Sequence, residues 1–146
     1  MKRILPNSDF YLRTLYETQE KEKKYKWSLM KTKELFSSKK IIIFSLPGAF
    51  TPTCSTFQLP GFEKQFKEFS NIGIDAIYCV SINDAFVMNS WGKQHDINNV
   101  QMIPDGNGEF TRKIGMLVEK NNLGFGLRSW RYAIICENFE ILEWFI

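Results

Sequence analysis

Apolar residues in this chain fall in short runs separated by polar and Gly/Pro-containing stretches, a pattern that predicts alternating strands and helices. Residues 10–16 and 25–29 read as two strands. The charged segment 17–24 between them, with Lys21, Lys23 and Lys24 and with Lys26 just beyond, reads as a solvated hairpin tip. Residues 32–36 predict a short helix. The run Ile41-Ile42-Ile43-Phe44 predicts a buried strand, followed by a loop holding Pro47, Gly48 and Pro52. Leu59, Phe62, Phe66 and Phe69 recur at helical spacing and predict one apolar face packed on a sheet. Pro60, which cannot donate a backbone hydrogen bond, leaves the first turn of that helix weakly tied to the rest.

Further along, residues 74–82 predict a second buried strand. Asn83 or Asp84 caps a helix running to about Lys93. Residues 100–103 predict a third strand and residues 110–116 a short helix. The loop 105–108 between them lacks the acidic series of a calcium site. Gly124-Phe125-Gly126 is not a dinucleotide fingerprint, since the third glycine and the strand–helix context are missing. Residues 131–137 and 140–145 predict a closing hairpin with Asn138-Phe139 near its turn. The order of elements predicts an α/β thioredoxin-like fold: a central mixed sheet flanked by helices, with an added N-terminal β-hairpin.

Composition changes this picture little. The 146 residues, 44% hydrophobic and 15% aromatic, suit a single domain over 1–146 with one core. A net charge of +3, without a basic stripe interleaved with aromatics, gives no reason to expect nucleic acid. No apolar stretch reaches membrane-spanning length, and the N-terminus carries no signal-peptide core, although a transit peptide removed earlier is compatible with it. Three widely spaced cysteines, Cys54, Cys79 and Cys136, are neither a disulfide framework nor a zinc set. They predict a reducing compartment, cytoplasmic or organellar. His95 is the one histidine and has no ligand partner at metal spacing, so no metal is expected, and chemistry carried by a cysteine would need no other cofactor.

Cys54 stands apart. It falls where a helix begins, just past a buried strand, and there the exposed N–H groups and the helix dipole favour a thiolate. The spacing Pro47-x-x-x-Thr51-x-x-Cys54 resembles the active-site motif of the peroxiredoxins. The longer string Pro47-Gly48-Ala49-Phe50-Thr51-Pro52-Thr53-Cys54-Ser55 resembles the atypical subfamily that includes the plant type II enzymes. Leu59-Pro60-Gly61-Phe62, the segment 80–88 and Arg128-Ser129-Trp130-Arg131-Tyr132-Ala133 extend the resemblance to roughly residues 4–146.

The resemblance implies the same thioredoxin-like fold and a thiol peroxidase acting on hydrogen peroxide, small organic hydroperoxides and peroxynitrite. It implies that Cys54 attacks peroxide and becomes a sulfenic acid. Thr51 would hold the thiolate and the peroxide with one hydroxyl, and Pro47 would shield the sulfur. The N–H groups of Thr53 and Cys54 would add oxyanion-type donors. Arg131, just before an aromatic residue and an apolar strand, matches the family's arginine, with Arg128 second. Electrons would come from glutathione, glutaredoxin or thioredoxin. Phe50 and Phe86 would meet across a homodimer, the other reading being that both are core aromatics.

Two departures from the family pattern stand out. Gln58 occupies a place where members often carry histidine, and the chain stops before the family's last helix. Cys79, 25 residues after Cys54, matches the resolving cysteine assigned in plant type II enzymes. Its place in a central strand argues instead for a one-cysteine cycle fed by glutathione and glutaredoxin. Two readings compete with a peroxidase. A dithiol oxidoreductase would need Cys-x-x-Cys, and Thr51 fills the first cysteine's place. A non-enzymatic redox sensor or holdase would oxidise Cys54 once and stop.

Overall fold

The structure, a computed structural model, describes residues 3–52 and 57–146, with residues 13–17 described by their backbone. It opens on an antiparallel ribbon of two nine-residue strands, β1 (Asp9–Glu17) and β2 (Lys23–Lys31), in register from Asp9↔Lys31 to Glu17↔Lys23. Helix α1 (Thr32–Phe36) leads into β3 (Lys40–Ser45). Then come α2 (Leu59–Lys64), α3 (Phe66–Asn71), β4 (Ala76–Ser81), α4 (Ala85–Gln94) and β5 (Gln101–Pro104). The chain continues through α5 (Glu109–Lys113) and the short strands β6 (Leu117–Glu119) and β7 (Leu127–Ser129). It closes with β8 (Tyr132–Glu137) and β9 (Glu140–Phe145).

The main sheet has the order β5-β4-β3-β8-β9. β4 and β5 run parallel to β3, and β8 and β9 add antiparallel pairs, so the sheet is mixed. Every residue of β4 is buried, as befits a strand with layers on both faces. Successive side chains of a strand point to opposite faces. Ile41 and Ile43 therefore join Phe10, Phe36, Tyr78, Phe110, Tyr132 and Cys136 in one layer. Ile42 and Phe44 join Leu59, Cys79, Met88 and Trp91 in the other.

The structure refines this reading in several places. The single helix predicted after Cys54 is two short helices in the described residues, separated by Gln65 at φ −94° and ψ 4°. The apolar face survives the break: Phe62 stacks on Phe44 at 4.2 Å and lies 6.1 Å from Phe69. Asp84, not Asn83, caps α4, its carboxylate accepting from the Val87 N–H at 2.9 Å. The small sheet of β6 and β7 was not foreseen, because three-residue strands carry too few positions to show a period. At the last hairpin, Asn138 and Phe139 both take positive φ, 45° and 70°, as a tight primed turn requires. A bulky residue is held there because its ring packs 6.0 Å from Phe36. In the loop after β5, the buried Asp105 caps α5, accepting from the Phe110 and Thr111 N–H groups and the Thr111 hydroxyl.

Glu63 pins α2 to the loop before β5. Its carboxylate accepts from the N–H groups of Asn98, Asn99 and Val100 and from the Asn99 side-chain amide. Burial pushes this carboxyl up, but the donors together outweigh it and hold it below the ordinary carboxylate range. A carboxyl depressed in the folded state adds stability above its unfolded pKa and loses it as pH falls through the folded value. Glu63→Gln is therefore expected to cost about 1–2 kcal/mol at neutral pH. The gap from wild type should narrow as pH falls below the ordinary glutamate pKa of about 4.3 and through the lower folded value. Asp105 works in the opposite sense, since burial raises its pKa and its protonation favours the folded state. Paired thermal melts of the two chains across pH cancel that contribution; a gap that stays constant into acid would refute the assignment.

Candidate active site

Among the described residues, Pro47, Thr51 and Arg128 gather where β3 ends and its loop begins, at the carboxyl ends of the parallel strands, with Gln58 and Arg131 meeting each other. Open α/β sheets bind ligands there. Thr53 and Cys54 lie outside the described residues. Around that segment, Pro47 and Thr51 precede it in the chain and Gln58 follows it.

The loop is held through its own backbone. The Thr51 hydroxyl donates to the Gly48 carbonyl at 2.7 Å. The Ala49 N–H donates to Asn83 Oδ1 at 3.0 Å. The Pro47 carbonyl accepts from Arg128 Nη1 at 3.4 Å. Gly48 leaves room for that approach: a Cβ there would sit 2.6 Å from Arg128 Nη1 and push the guanidinium aside. Phe50, next in line, is 45% exposed and takes φ 64°, a left-handed conformation uncommon for a bulky residue.

The two candidate arginines divide the work. Arg128 donates through Nε to the Phe125 carbonyl at 3.1 Å, and its guanidinium lies 5.4 Å from the Phe125 ring. Arg131, half-buried just before β8, donates through Nη1 to Gln58 Oε1. One guanidinium thus meets the loop before Cys54 and the other meets the residue four places after it. A glutamine is a permanent acceptor for a guanidinium, because its amide oxygen stays neutral at every accessible pH.

With its proton committed to the Gly48 carbonyl, the Thr51 oxygen keeps its acceptor lone pairs. That narrows the expectation that one hydroxyl would hold both thiolate and peroxide. An anionic sulfur offers no proton, whereas a peroxide O–H does.

Cys79 is 0% exposed in β4, opposite Phe44 on one side and Met102 on the other. Cys136 is 0% exposed in the opposite layer, and burial pushes its thiol up to about 12. Among the described residues no cluster of His, Cys, Asp and Glu could hold a metal ion. Asn83 is the site residue that sequence reasoning missed. In the sequence it stands inside the segment 80–88 and reads as a candidate helix cap, a role that the neighbouring Asp84 fills.

Residues 14–146 match the Redoxin family. The chain is 53% identical over 145 residues to a peroxiredoxin of Sinorhizobium fredii, covering 99% of this chain and 77% of that protein. It is 43% identical over 106 residues to Peroxiredoxin-2D of Arabidopsis thaliana, covering 72% of this chain and 65% of the relative. Among solved structures, the Plasmodium falciparum antioxidant protein, a 1-Cys peroxiredoxin, superposes with a TM-score of 0.88 at 37% identity, covering 99% of this chain and 83% of that one. Reduced Prx3 of Vibrio vulnificus in complex with H2O2 gives 0.85 at 35% identity, covering 99% and 85%.

Proposed function

The chain belongs to the peroxiredoxins, thiol-dependent peroxidases of thioredoxin-like fold, and on that premise we propose that Cys54 is the reacting thiol and that it works in a one-cysteine cycle. Cys54 Sγ, as thiolate, attacks the nearer oxygen of a hydroperoxide. The S–O bond forms as the O–O bond breaks, and the departing oxygen leaves as water or an alcohol after taking up a proton. Cys54 is left as a sulfenic acid. The thiolate of glutathione then attacks that sulfur, water departs, and a mixed disulfide forms. A glutaredoxin thiol removes the glutathione and returns Cys54 to the thiolate.

In this reading Thr51 Oγ1 accepts the peroxide's O–H, and Pro47 keeps water from the sulfur. The N–H groups of Thr53 and Cys54 stabilise the oxygen that gathers charge. Arg131, steadied by Gln58, supplies a permanent positive charge in a forked geometry. Hydrogen peroxide, small organic hydroperoxides and peroxynitrite are the proposed substrates. A reducing compartment, cytoplasmic or organellar, is the proposed setting, since the cycle consumes thiols.

The observation that carries the one-cysteine cycle is the burial of Cys79. A disulfide needs Cα atoms within about 7 Å and an accessible partner sulfur. Cys79 is enclosed in the second strand of a five-stranded row, with hydrogen-bonded neighbours on both sides. The similarity to a 1-Cys peroxiredoxin supports the same reading. Cys79→Ser is expected to keep turnover with glutathione and glutaredoxin. Mass spectrometry after one equivalent of peroxide, without added thiol, is expected to find sulfenic acid at Cys54. A stoichiometric Cys54–Cys79 disulfide, with turnover lost in Cys79→Ser and thioredoxin as the effective donor, would overturn the cycle.

A homodimer joined through Phe50 and Phe86 is part of this proposal. The two rings are 45% and 57% exposed, which speaks against their being core aromatics. Phe86 also stands edge-on to Trp27 of β2 at 5.7 Å, so α4 and the N-terminal ribbon offer one aromatic patch. Phe86→Ala is expected to weaken the dimer in sedimentation at low concentration; unchanged affinity would remove Phe86 from the interface.

A further inference from the structure

We infer that Asn83 is a positioning residue for peroxide reduction: through the Ala49 N–H it fixes the peptide plane between Gly48 and Ala49, and through that plane the Thr51 hydroxyl. The inference rests on the reading of Cys54 as the reacting thiol and Thr51 as the peroxide's acceptor.

The Gly48 carbonyl and the Ala49 N–H belong to one planar peptide unit and, in a trans bond, point in opposite directions. On one side of the plane the carbonyl accepts from Thr51 Oγ1 at 2.7 Å. On the other the N–H donates to Asn83 Oδ1 at 3.0 Å. Rotating that plane would break both bonds together, and the Thr51 proton would lose the acceptor that keeps the oxygen's lone pairs turned to a substrate.

Three side chains tie the turn, and they are not equivalent. The Thr51 tie is internal to the loop. Arg128 reaches the Pro47 carbonyl at 3.4 Å while also serving the Phe125 carbonyl. Asn83 is the short tie between the loop and the sheet, and it is itself fixed. Its Oδ1 also accepts from the hydroxyl of Ser81 at 2.7 Å, and Ser81 is 0% exposed at the end of β4. Two donors converging on one atom assign it as the amide oxygen. The neighbouring Asp84 caps α4, so the helix does not account for Asn83's side chain. The restraint has work to do, because Phe50 at φ 64° holds the backbone between Ala49 and Thr51 in a conformation that an untied loop would leave.

A double-mutant cycle tests the relay, with stopped-flow oxidation of Cys54 by hydrogen peroxide as one readout and alkylation of Cys54 by iodoacetamide as the other. Asn83→Ala is expected to slow the peroxide reaction about 10- to 100-fold, the range set by a small misplacement of a reacting group. Alkylation, which needs no peroxide acceptor, should stay near the wild-type rate. In a Thr51→Val background the same substitution should cost little, because its effect passes through Thr51. Asn83→Asp keeps the acceptor oxygens for both donors and should restore most of the rate. An equal cost of Asn83→Ala with and without the Thr51 hydroxyl would overturn the inference. So would parallel losses in peroxide and iodoacetamide rates. Amide exchange at Ala49 in the wild-type chain decides the matter even if Asn83→Ala fails to fold: protection supports the tie, and exchange at the rate of an unstructured peptide refutes it. A wild-type Cys54 no faster with peroxide than free cysteine would refute the reading of Cys54 itself, and the inference with it.

Discussion

Cys54→Ser is expected to take peroxide reduction to the background rate while leaving the fold unchanged. Oxygen replaces sulfur in nearly the same volume, so packing has little reason to respond, but a serine hydroxyl is not ionised near neutral pH and cannot displace the peroxide oxygen. The other two thiols cannot substitute. Cys79 and Cys136 are both 0% exposed, and burial holds the Cys136 thiol at about 12, far from ionisation. Peroxide consumption with glutathione and glutaredoxin in excess is the measurement. Substantial turnover in Cys54→Ser, with circular dichroism unchanged, would sink the assignment of the reacting thiol.

The second large effect is expected at Arg131. A free cysteine with a pKa of about 8.5 is about 3% thiolate at pH 7, and lowering the pKa to about 6 raises that to about 90%. Ionisation alone therefore gains only about thirtyfold. A faster peroxidase must lower the barrier itself by stabilising charge on the departing oxygen. A guanidinium does this with several donors in a fixed plane, one of which is spent on Gln58 and orients the rest. Lysine keeps the charge but loses the plane, so Arg131→Lys should slow Cys54 oxidation roughly a hundredfold, as removal of one oxyanion donor does. Arg128→Lys should cost less, since Arg128 holds the Pro47 carbonyl and packs on Phe125. If stopped-flow kinetics reverse that order, the active-site arginine is Arg128.

Strong local signals made most of the fold legible. Four consecutive apolar residues at 41–44 marked β3, and the Asn83-Asp84 pair marked the start of α4. The expected helix 32–36 has those same bounds in the structure. Elements held by tertiary contact alone were not legible. The break at Gln65 has no proline or glycine to announce it, and β6 and β7 are too short for a pattern. The candidate site divides in the same way. Pro47, Thr51 and Cys54 declare themselves by spacing within eight positions of one another. The ties from Asn83 to Ala49 and from Arg131 to Gln58 span 34 and 73 residues, and each depends on how helices and strands stack. Sequence singled out Gln58 as a departure from the family pattern but could not supply its partner.

The two buried thiols lie on opposite faces of the same sheet, Cys79 with Met88 and Trp91 and Cys136 with Ile41 and Tyr132. Each can be alkylated only when its own layer opens, at a rate set by the free energy of that opening. In a Cys54→Ser chain the two cysteines therefore act as separate clocks for the two halves of the core. Equal labelling rates, after allowance for intrinsic thiol reactivity, would mean that the sheet sheds both layers in one cooperative event. Faster labelling of Cys79 would mean that the layer carrying α2 and α3 parts first, which would make the helices that follow Cys54 in the chain the softest part of the native state.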